Sequence, residues 1–245
     1  LQEIFFCSGG FKDQSEKVSI DLIINIMHGP RGEGGPISGL LESLNINYLG
    51  SDTFSGALCM DKFYSKVVLR DQGVPVAGFT KLKNPQATSP QKLEDYIGYP
   101  AFVKPAKTGS SIGISRVRQR DEWRPAIDQA LIYDPVVVVE KGLKAREVEF
   151  AVLYSLKQQR YIVSPPGEII ISKGEFYSYE AKYLDADAAK LSYPAEMGEQ
   201  LLQKAQKVAL AAFETLGCRD FARVDLLIEG EECYVNEINT LPGFT

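Results

Sequence analysis

The chain has 245 residues, of which 44 % are hydrophobic and 24 % charged, and 27 basic against 32 acidic side chains give a net charge of −5. This balance excludes a nucleic-acid binder that works by bulk positive charge, and no apolar run approaches the about 20 residues that a membrane helix needs. Four scattered cysteines and a single histidine indicate reduced thiols and argue against structural zinc. Because no signal peptide is visible, we expect a cytoplasmic protein without nucleic-acid or membrane partners.

The first half of the chain alternates predicted strands and helices. Residues 18–27 (VSIDLIINIM) are an apolar run that predicts a buried strand, and a loop rich in glycine and proline follows over 28–36. A short helix is predicted over 37–45 and a longer one over 55–73, where a glycine ends it. Two further strands are predicted, over 99–106 (YPAFVKPA) and 135–143 (PVVVVEKGL).

The second half is dominated by predicted antiparallel strands. Residues 146–155 and 160–171 alternate as strands do, 195–217 form the clearest helix, and 221–239 form a β-hairpin. A long, polar, tyrosine-rich stretch at 172–193 is typical of a functional lid or a disordered segment. The order of elements predicts an α/β part followed by α+β parts. The predicted domains cover residues 1–60, 61–140 and 141–245.

The predicted hairpin carries side chains that suit a hard metal ion. Asp225, Glu237 and Asn239 offer oxygen ligands, which Mg²⁺ prefers. A three-residue loop at 230–232 would pair Asp225 with Glu237 and Arg223 with Asn239, so that all four line one face. A two-residue turn would shift the register and separate the pairs, and a solvated charged face is the alternative to a metal site.

Three further stretches carry residues that suit phosphate and nucleoside. Lys104 ends a predicted strand before the Gly/Ser loop TGSSIG, where backbone amides and hydroxyls can converge on an anion. Lys66 lies in a predicted helix, and Glu140, Lys141 and Glu147 flank a strand end that could hold a base and a ribose. Each stretch taken singly also has an alternative without a ligand: a plain turn for the Gly/Ser loop, a surface lysine for Lys66, and an ordinary charged loop for the segment around Glu140.

Taken together and in order, these stretches resemble the ATP-grasp D-alanine–D-alanine ligases. The resemblance spans residues 18–245 and implies an N-terminal α/β (pre-ATP-grasp) domain, a central domain and a C-terminal domain, with ATP between the last two and a possible homodimer. The matching motifs are HGPRGEGG, GLLESLNINYLGS, MDKFYSK, FVKPAKTGSSIGIS, VEKGLKAREVEFAVL, SPPGEI, FYSYEAKYLDADA, ARVDLLI and NEINTLPGFT.

The resemblance also implies a reaction and roles for individual residues. ATP and two D-alanines would give D-alanyl-D-alanine, ADP and phosphate through an acylphosphate, for the synthesis of peptidoglycan precursors. Implied ATP contacts are Lys66, Lys104, Ser111, Glu140, Lys141, Leu143, Glu147 and the lid residue Lys182. Implied ligands of two Mg²⁺ (or Mn²⁺) are Asp225, Glu237 and Asn239. Implied catalytic residues are Arg223 and the Gly243 amide at the oxyanion, His28 at the first D-alanine, and the lid residue Tyr183 bonded to Ser110.

The sequence departs from the family pattern at several points. Gly34 replaces an acid, and Gly142 stands where an aromatic residue is common beside adenine. No glycine-rich strand–loop is recognisable before residue 18, and the family's serine after PGFT would follow Thr245. We therefore expect a chain truncated at both ends that binds nucleotide but makes little dipeptide. The alternatives are a D-alanine–D-lactate or D-alanine–D-serine ligase and a non-catalytic ATP-binding remnant, although the lid tyrosine favours an amine acceptor.

Overall fold

The computed structural model describes residues 5–7, 10–12, 17–171 and 189–243. Most of the predicted lid, including Lys182 and Tyr183, therefore lies outside the described residues. In the described part, no helix is long and apolar enough to cross a membrane. The architecture is a mixture of helices and mainly antiparallel sheets, as the order of predicted elements indicated.

The N-terminal part contains two small sheets and two helices. A three-stranded antiparallel sheet contains β1 (Phe5–Cys7), β2 (Gly10–Lys12) and β3 (Lys17–Ser19). A parallel pair contains β4 (Ile23–Ile24) and β5 (Tyr48–Leu49). The helices between this pair are α1 (Pro30–Glu33) and α2 (Pro36–Ser43).

Two predictions for this part are wrong. The apolar run 18–27 is not one buried strand: it contains the end of β3 and the short strand β4, which pairs only with β5 among the described residues. Leu22 and Ile26 are more than half exposed, because no layer of the described structure covers them. The loop predicted over 28–36 contains helix α1, because Pro30 has its backbone preset for a first helical turn.

The helix predicted over 55–73 is two helices, α3 (Thr53–Met60) and α4 (Lys62–Asp71). They meet at Asp61, whose backbone is extended and whose carboxylate accepts hydrogen bonds from the amides of Phe63 and Tyr64. An aspartate that caps α4 in this way satisfies amides that would otherwise lack partners, and the continuous helix is lost. The break positions the first turn of α4 beside the cleft described below.

The central part is a four-stranded antiparallel sheet in the order β6–β9–β7–β8. Its strands are β6 (Phe79–Lys81), β7 (Ala101–Pro105), β8 (Ser115–Val117) and β9 (Val137–Lys141), and its helices are α5 (Pro90–Tyr96) and α6 (Trp123–Leu131). Two short 3₁₀ helices lie at Pro85–Ala87 and Arg120–Glu122. Trp123 and Ile127 of α6 are fully buried on Val103 and Val139.

The C-terminal part is a six-stranded antiparallel sheet in the order β13–β12–β10–β14–β15, with β11 beside β10. Its strands are β10 (Arg146–Ser155), β11 (Arg160–Val163), β12 (Gly167–Ile171), β13 (Ala189–Ser192), β14 (Phe221–Glu229) and β15 (Glu232–Asn239). Helix α7 (Glu199–Thr215) covers it with Ala205, Ala209, Ala212 and Phe213, whose spacing places them on one helix face. Leu69 of α4 belongs to the same core.

Candidate functional site

The β14–β15 hairpin brings the predicted ligand residues onto one face. Asp225 lies opposite Glu237, and Arg223 lies opposite Asn239. Directly opposed residues of antiparallel strands project to the same side of the sheet, so the four side chains are neighbours. The predicted pairing is confirmed.

The prediction that a three-residue loop at 230–232 produces this pairing is wrong. Glu229 pairs with Glu232, so the connection is the two-residue turn Gly230–Glu231, with Gly230 at φ 62°. Such a turn alone would separate the two pairs. A β-bulge in β15 adds Asn236 between the turn and Glu237, and this extra residue restores the register.

Arg223 and Asp225 form a bidentate ion pair on this face, in which Asp225 is buried and Arg223 is partly exposed. Arg223 Nε lies 2.7 Å from Asp225 Oδ1, and its Nη2 lies 2.8 Å from Oδ2 and 3.4 Å from Glu149 Oε1. Burial opposes the charge of Arg223, but the negative charges of Asp225, Glu149 and Glu237 outweigh it and raise the pKa of Arg223. The guanidinium is therefore a permanent, fixed cation at this face.

A cluster of two lysines and one glutamate lies buried between the two larger sheets. Lys66 and Glu140 are each only 2 % exposed. Lys104 Nζ lies 2.7 Å from Glu140 Oε2, and Lys66 Nζ lies 3.5 Å from Glu140 Oε1. Lys66 also donates to the carbonyl of the bulge residue Asn236 at 2.7 Å. When ionised, the three side chains carry one excess positive charge.

The pKa values of Glu140 and Lys66 follow from burial and from the charges around them. Burial opposes the carboxylate of Glu140, but the charges of Lys104 and Lys66 lower its pKa below the ordinary value. Burial lowers the pKa of Lys66; the negative charge of Glu140 opposes this shift, and the positive charge of Lys104 adds to it. An added anion would stabilise the charged form of both lysines, which makes this cluster suited to a phosphate chain nearby.

The loop between β7 and β8 has the backbone of an anion-binding loop. Ser110 and Ser111 have φ of 53° and 58°, which non-glycine residues seldom adopt, and Gly113 has φ of 72°. A Cβ at Gly113 would lie 2.5 Å from Tyr133 Cδ2 and 2.7 Å from Pro105 Cγ, so only glycine fits. Consecutive turn residues with such dihedrals can direct backbone N–H groups into a concave anion site.

A cleft of about 680 Å³ lies among this loop, the hairpin face and the N-terminal part. That volume is typical of a small-molecule site. The predicted residues that line it are His28, Ser110, Arg223, Glu237, Asn239 and Gly243. His28 is more than half exposed, with Nδ1 3.4 Å from Glu33 Oε1.

The sequence interpretation missed Lys62, which lines the cleft together with Glu149 and Lys190. Lys62 is buried, its Nζ lies 3.6 Å from Glu237 Oε2, and it donates a hydrogen bond to the carbonyl of Thr108. It therefore joins the hairpin face to the anion-type loop. The available signal was its spacing of four from Lys66 in DKFYSK, which places both lysines on one helix face.

Other predicted residues do not line this cleft. Lys141 is exposed at the end of β9, whereas Leu143 and Glu147 are half-buried further along the chain. The carboxylate of Glu140 contacts lysines rather than open space. The roles of these four residues at adenosine stay predictions.

Both departures from the family pattern lie where the backbone is crowded. A Cβ at Gly142 would lie 2.8 Å from the carbonyl oxygen of Pro100, which also accepts a hydrogen bond from the Gly142 amide. A Cβ at Gly34 would lie 2.4 Å from the carbonyl oxygen of Pro30. Neither position admits a larger side chain unless the backbone moves, so the two glycines fit their surroundings.

Comparisons with known proteins agree with this architecture. The family described as D-ala D-ala ligase C-terminus matches residues 68–245. D-alanine–D-alanine ligase A of Escherichia coli K12 is 42 % identical over 230 residues, which are 93 % of this chain and 62 % of that protein. The chain thus spans less than two thirds of that relative.

Solved structures are similar over nearly the whole chain. The VanG D-Ala:D-Ser ligase of Enterococcus faecalis superposes with a TM-score of 0.86 and 34 % identity, over 96 % of this chain and 68 % of that one. A D-alanine–D-alanine ligase of Bacillus anthracis complexed with ATP gives 0.77 and 30 %, over 92 % and 70 %. The sheets described above thus have the ATP-grasp arrangement that the motifs implied, and this chain belongs to the D-alanine–D-alanine ligase family.

Proposed function

We propose that this chain forms most of an ATP-dependent D-alanine–D-alanine ligase, which joins two D-alanines through an acylphosphate to supply a peptidoglycan precursor. One observation carries the proposal: Glu237, Asn239 and Arg223 of the hairpin face line a substrate-sized cleft that the Ser110 loop also lines, and Asp225 lies beside them, opposite Glu237 in the sheet. That arrangement can hold a polyphosphate and a carbonyl side by side, as an acylphosphate reaction requires.

Cations and amides near the cleft would hold the phosphates of ATP. Lys66, Lys104 and Lys62 supply positive charge, and the loop at Ser110 and Ser111 supplies backbone amides. A relative of this fold that binds ATP supports the choice of nucleotide. Buried cations of this kind stabilise charge that spreads over a transferring phosphoryl group.

A divalent ion, Mg²⁺ or Mn²⁺, fits the chemistry of the hairpin face. Asp225, Glu237 and Asn239 would hold it, since two carboxylates and an amide oxygen match a hard cation. Among the residues that the structure describes, no three acidic, histidine or cysteine side chains form a metal cage, so phosphate and water oxygens would complete the shell. Both oxygens of Asp225 already accept from Arg223, so a bound ion would share this carboxylate. When bound, it would neutralise phosphate charge.

The residues of the chain itself would orient the second half-reaction. The Arg223 guanidinium and the Gly243 amide would stabilise the oxyanion of the tetrahedral intermediate, and His28 would lie near the first D-alanine. Lys182 and Tyr183, outside the described residues, would close over the acylphosphate, where exclusion of water prevents its hydrolysis. We further propose the domains 1–60, 61–140 and 141–245, a cytoplasmic location, and a homodimer.

Ligation of D-alanine to D-serine is the second candidate, because the VanG D-Ala:D-Ser ligase matches with high coverage and identity. The test is phosphate release by the full-length protein with ATP, Mg²⁺ and D-alanine, followed by mass spectrometry of the product. We expect D-alanyl-D-alanine, with a minority of mixed dipeptide when D-serine competes and a minority of the ester-linked product when D-lactate competes. A predominantly mixed product would assign the second candidate, and ATP binding without any ligation would identify a non-catalytic relative.

A further inference from the structure

Two cysteines from distant parts of the chain meet in the core beside the cleft. Cys59 is near the end of α3, and Cys218 follows α7; they are 7 % and 5 % exposed. Their sulfur atoms are 3.6 Å apart and share a thiol hydrogen bond, although 159 positions separate them in sequence. A disulfide bond is about 2.0 Å long, so bonding requires a closure of less than 2 Å.

The backbone around the two thiols is already held together. The hydroxyl of Ser55, one turn before Cys59, donates to the carbonyl of Gly217 at 2.6 Å. The amide of Cys218 donates to the carbonyl of Phe213 at 3.0 Å, which fixes the segment after α7. The two sulfurs therefore stay close because neighbouring polar contacts hold α3 against the segment that follows α7.

A small oxidant can reach this pair. Cys59 lines the cleft and Cys218 does not, so a peroxide that enters the cleft comes beside Cys59 first. The hydrogen bond with Cys218 and burial both raise the pKa of the Cys59 thiol. The thiol form therefore dominates at neutral pH, so we expect oxidation to be slow and to become faster in alkaline buffer.

We propose that Cys59 and Cys218 form a reversible disulfide when the protein meets a peroxide, and that the reduced thiols described above are its resting state. One thiol attacks the O–O bond and becomes a sulfenic acid with release of water. The second thiol attacks that sulfur, the S–S bond forms, and a second water leaves. The two thiols lose two electrons and two protons, which reduce the peroxide, and a dithiol reverses the reaction. The cross-link ties α3, in the cleft wall, to the core of the six-stranded sheet.

The test treats the folded full-length protein with hydrogen peroxide, blocks remaining thiols, digests it, and searches for a peptide that joins Cys59 to Cys218. We also expect a rise in melting temperature on the order of 10 °C, because the bond closes a long loop. A dithiol should reverse both effects. Both should be absent in Cys59→Ser and Cys218→Ser and should persist in Cys233→Ser and Cys7→Ser.

Several outcomes would overturn the proposal. These are an absence of the joined peptide while the protein stays folded, a different cysteine pair, or a sulfinic acid at Cys59 without a cross-link. A melting shift that survives in Cys59→Ser would do the same. Should the serine variants fold poorly, Cys59→Ala and Cys218→Ala replace them, because alanine adds no buried hydroxyl.

Discussion

Replacement of Glu140 by glutamine should destabilise the protein more than any surface charge change. The carboxylate lies 2.7 Å from Lys104 Nζ and 3.5 Å from Lys66 Nζ, and both lysines are buried. Glu140→Gln leaves two neighbouring buried ammonium groups without a counterion. Loss of one partner from a buried ion pair costs about 3–5 kcal/mol. We expect about 3 kcal/mol, because the amide oxygen can still accept one hydrogen bond.

The pH dependence of this loss follows from the direction of the Glu140 pKa shift. Its pKa is held below the ordinary value of 4.5 in the folded protein. The carboxylate therefore contributes its full stability above pH 4.5 and loses it as the pH falls through the lowered pKa. The difference between wild type and Glu140→Gln should be full at neutral pH and should shrink in acid.

Urea unfolding followed by circular dichroism, at several pH values, measures this difference. The control is Glu232→Gln, which removes the carboxylate of an exposed pair 3.0 Å from Lys204 Nζ. An exposed pair contributes at most about 1 kcal/mol, so this variant should unfold nearly like wild type. Equal losses for the two variants, or a Glu140→Gln loss below about 1 kcal/mol at pH 7, would refute the assignment of a buried, charged cluster.

Two further variants, each with a matched control, test the anion site. Lys104→Ala should weaken ATP binding by at least about tenfold, or about 1.4 kcal/mol. Lys107→Ala should change ATP binding little, because that side chain is 57 % exposed. Calorimetric titration with ATP compares the two variants, and equal affinities would contradict the role of Lys104. Gly113→Ala should destabilise the protein by about 1–3 kcal/mol, because its Cβ would overlap Tyr133, whereas Gly109→Ala has open space and should stay near wild type. Thermal unfolding of both glycine variants decides this.

Much of the fold could be predicted from local sequence patterns. Apolar periodicity indicated the strands at 101–105, 137–141 and 146–155 and the long helix α7 correctly. Each of these elements buries apolar side chains in one of two hydrophobic cores. The prediction of a buried strand over 18–27 was wrong because a hydrophobic run forms a buried strand only if other elements cover it. Pattern alone does not contain that tertiary information.

The break between α3 and α4 was hidden because Asp61 is compatible with both a helix interior and an N-cap. Helical periodicity continues across it, and only the capping hydrogen bonds to the Phe63 and Tyr64 amides decide between the two. The break also affects where the two lysines of α4 lie relative to the cleft. Lys62, the first residue of α4, lies beside the cleft, whereas Lys66, one turn later, lies in the buried cluster. The sequence interpretation treated only the second lysine as functional.

The β-bulge at Asn236 explains why the predicted site was right although its predicted turn was wrong. The period-two spacing of the ligand-type residues predicted that Asp225 and Glu237 lie on one face. The comparison of a three-residue loop with a two-residue turn assumed regular strand pairing without a bulge. A bulge adds one residue to β15, so that the two-residue turn places Asp225 and Glu237 on the same face instead of on opposite faces. The bulge also directs the carbonyl of Asn236 to Lys66 Nζ. The same irregularity therefore sets the register of the carboxylate face and supplies a carbonyl that holds one lysine of the cluster. The hairpin thus contacts both parts of the proposed ATP site, through the Asn236 carbonyl to Lys66 and through the Glu237 carboxylate to Lys62.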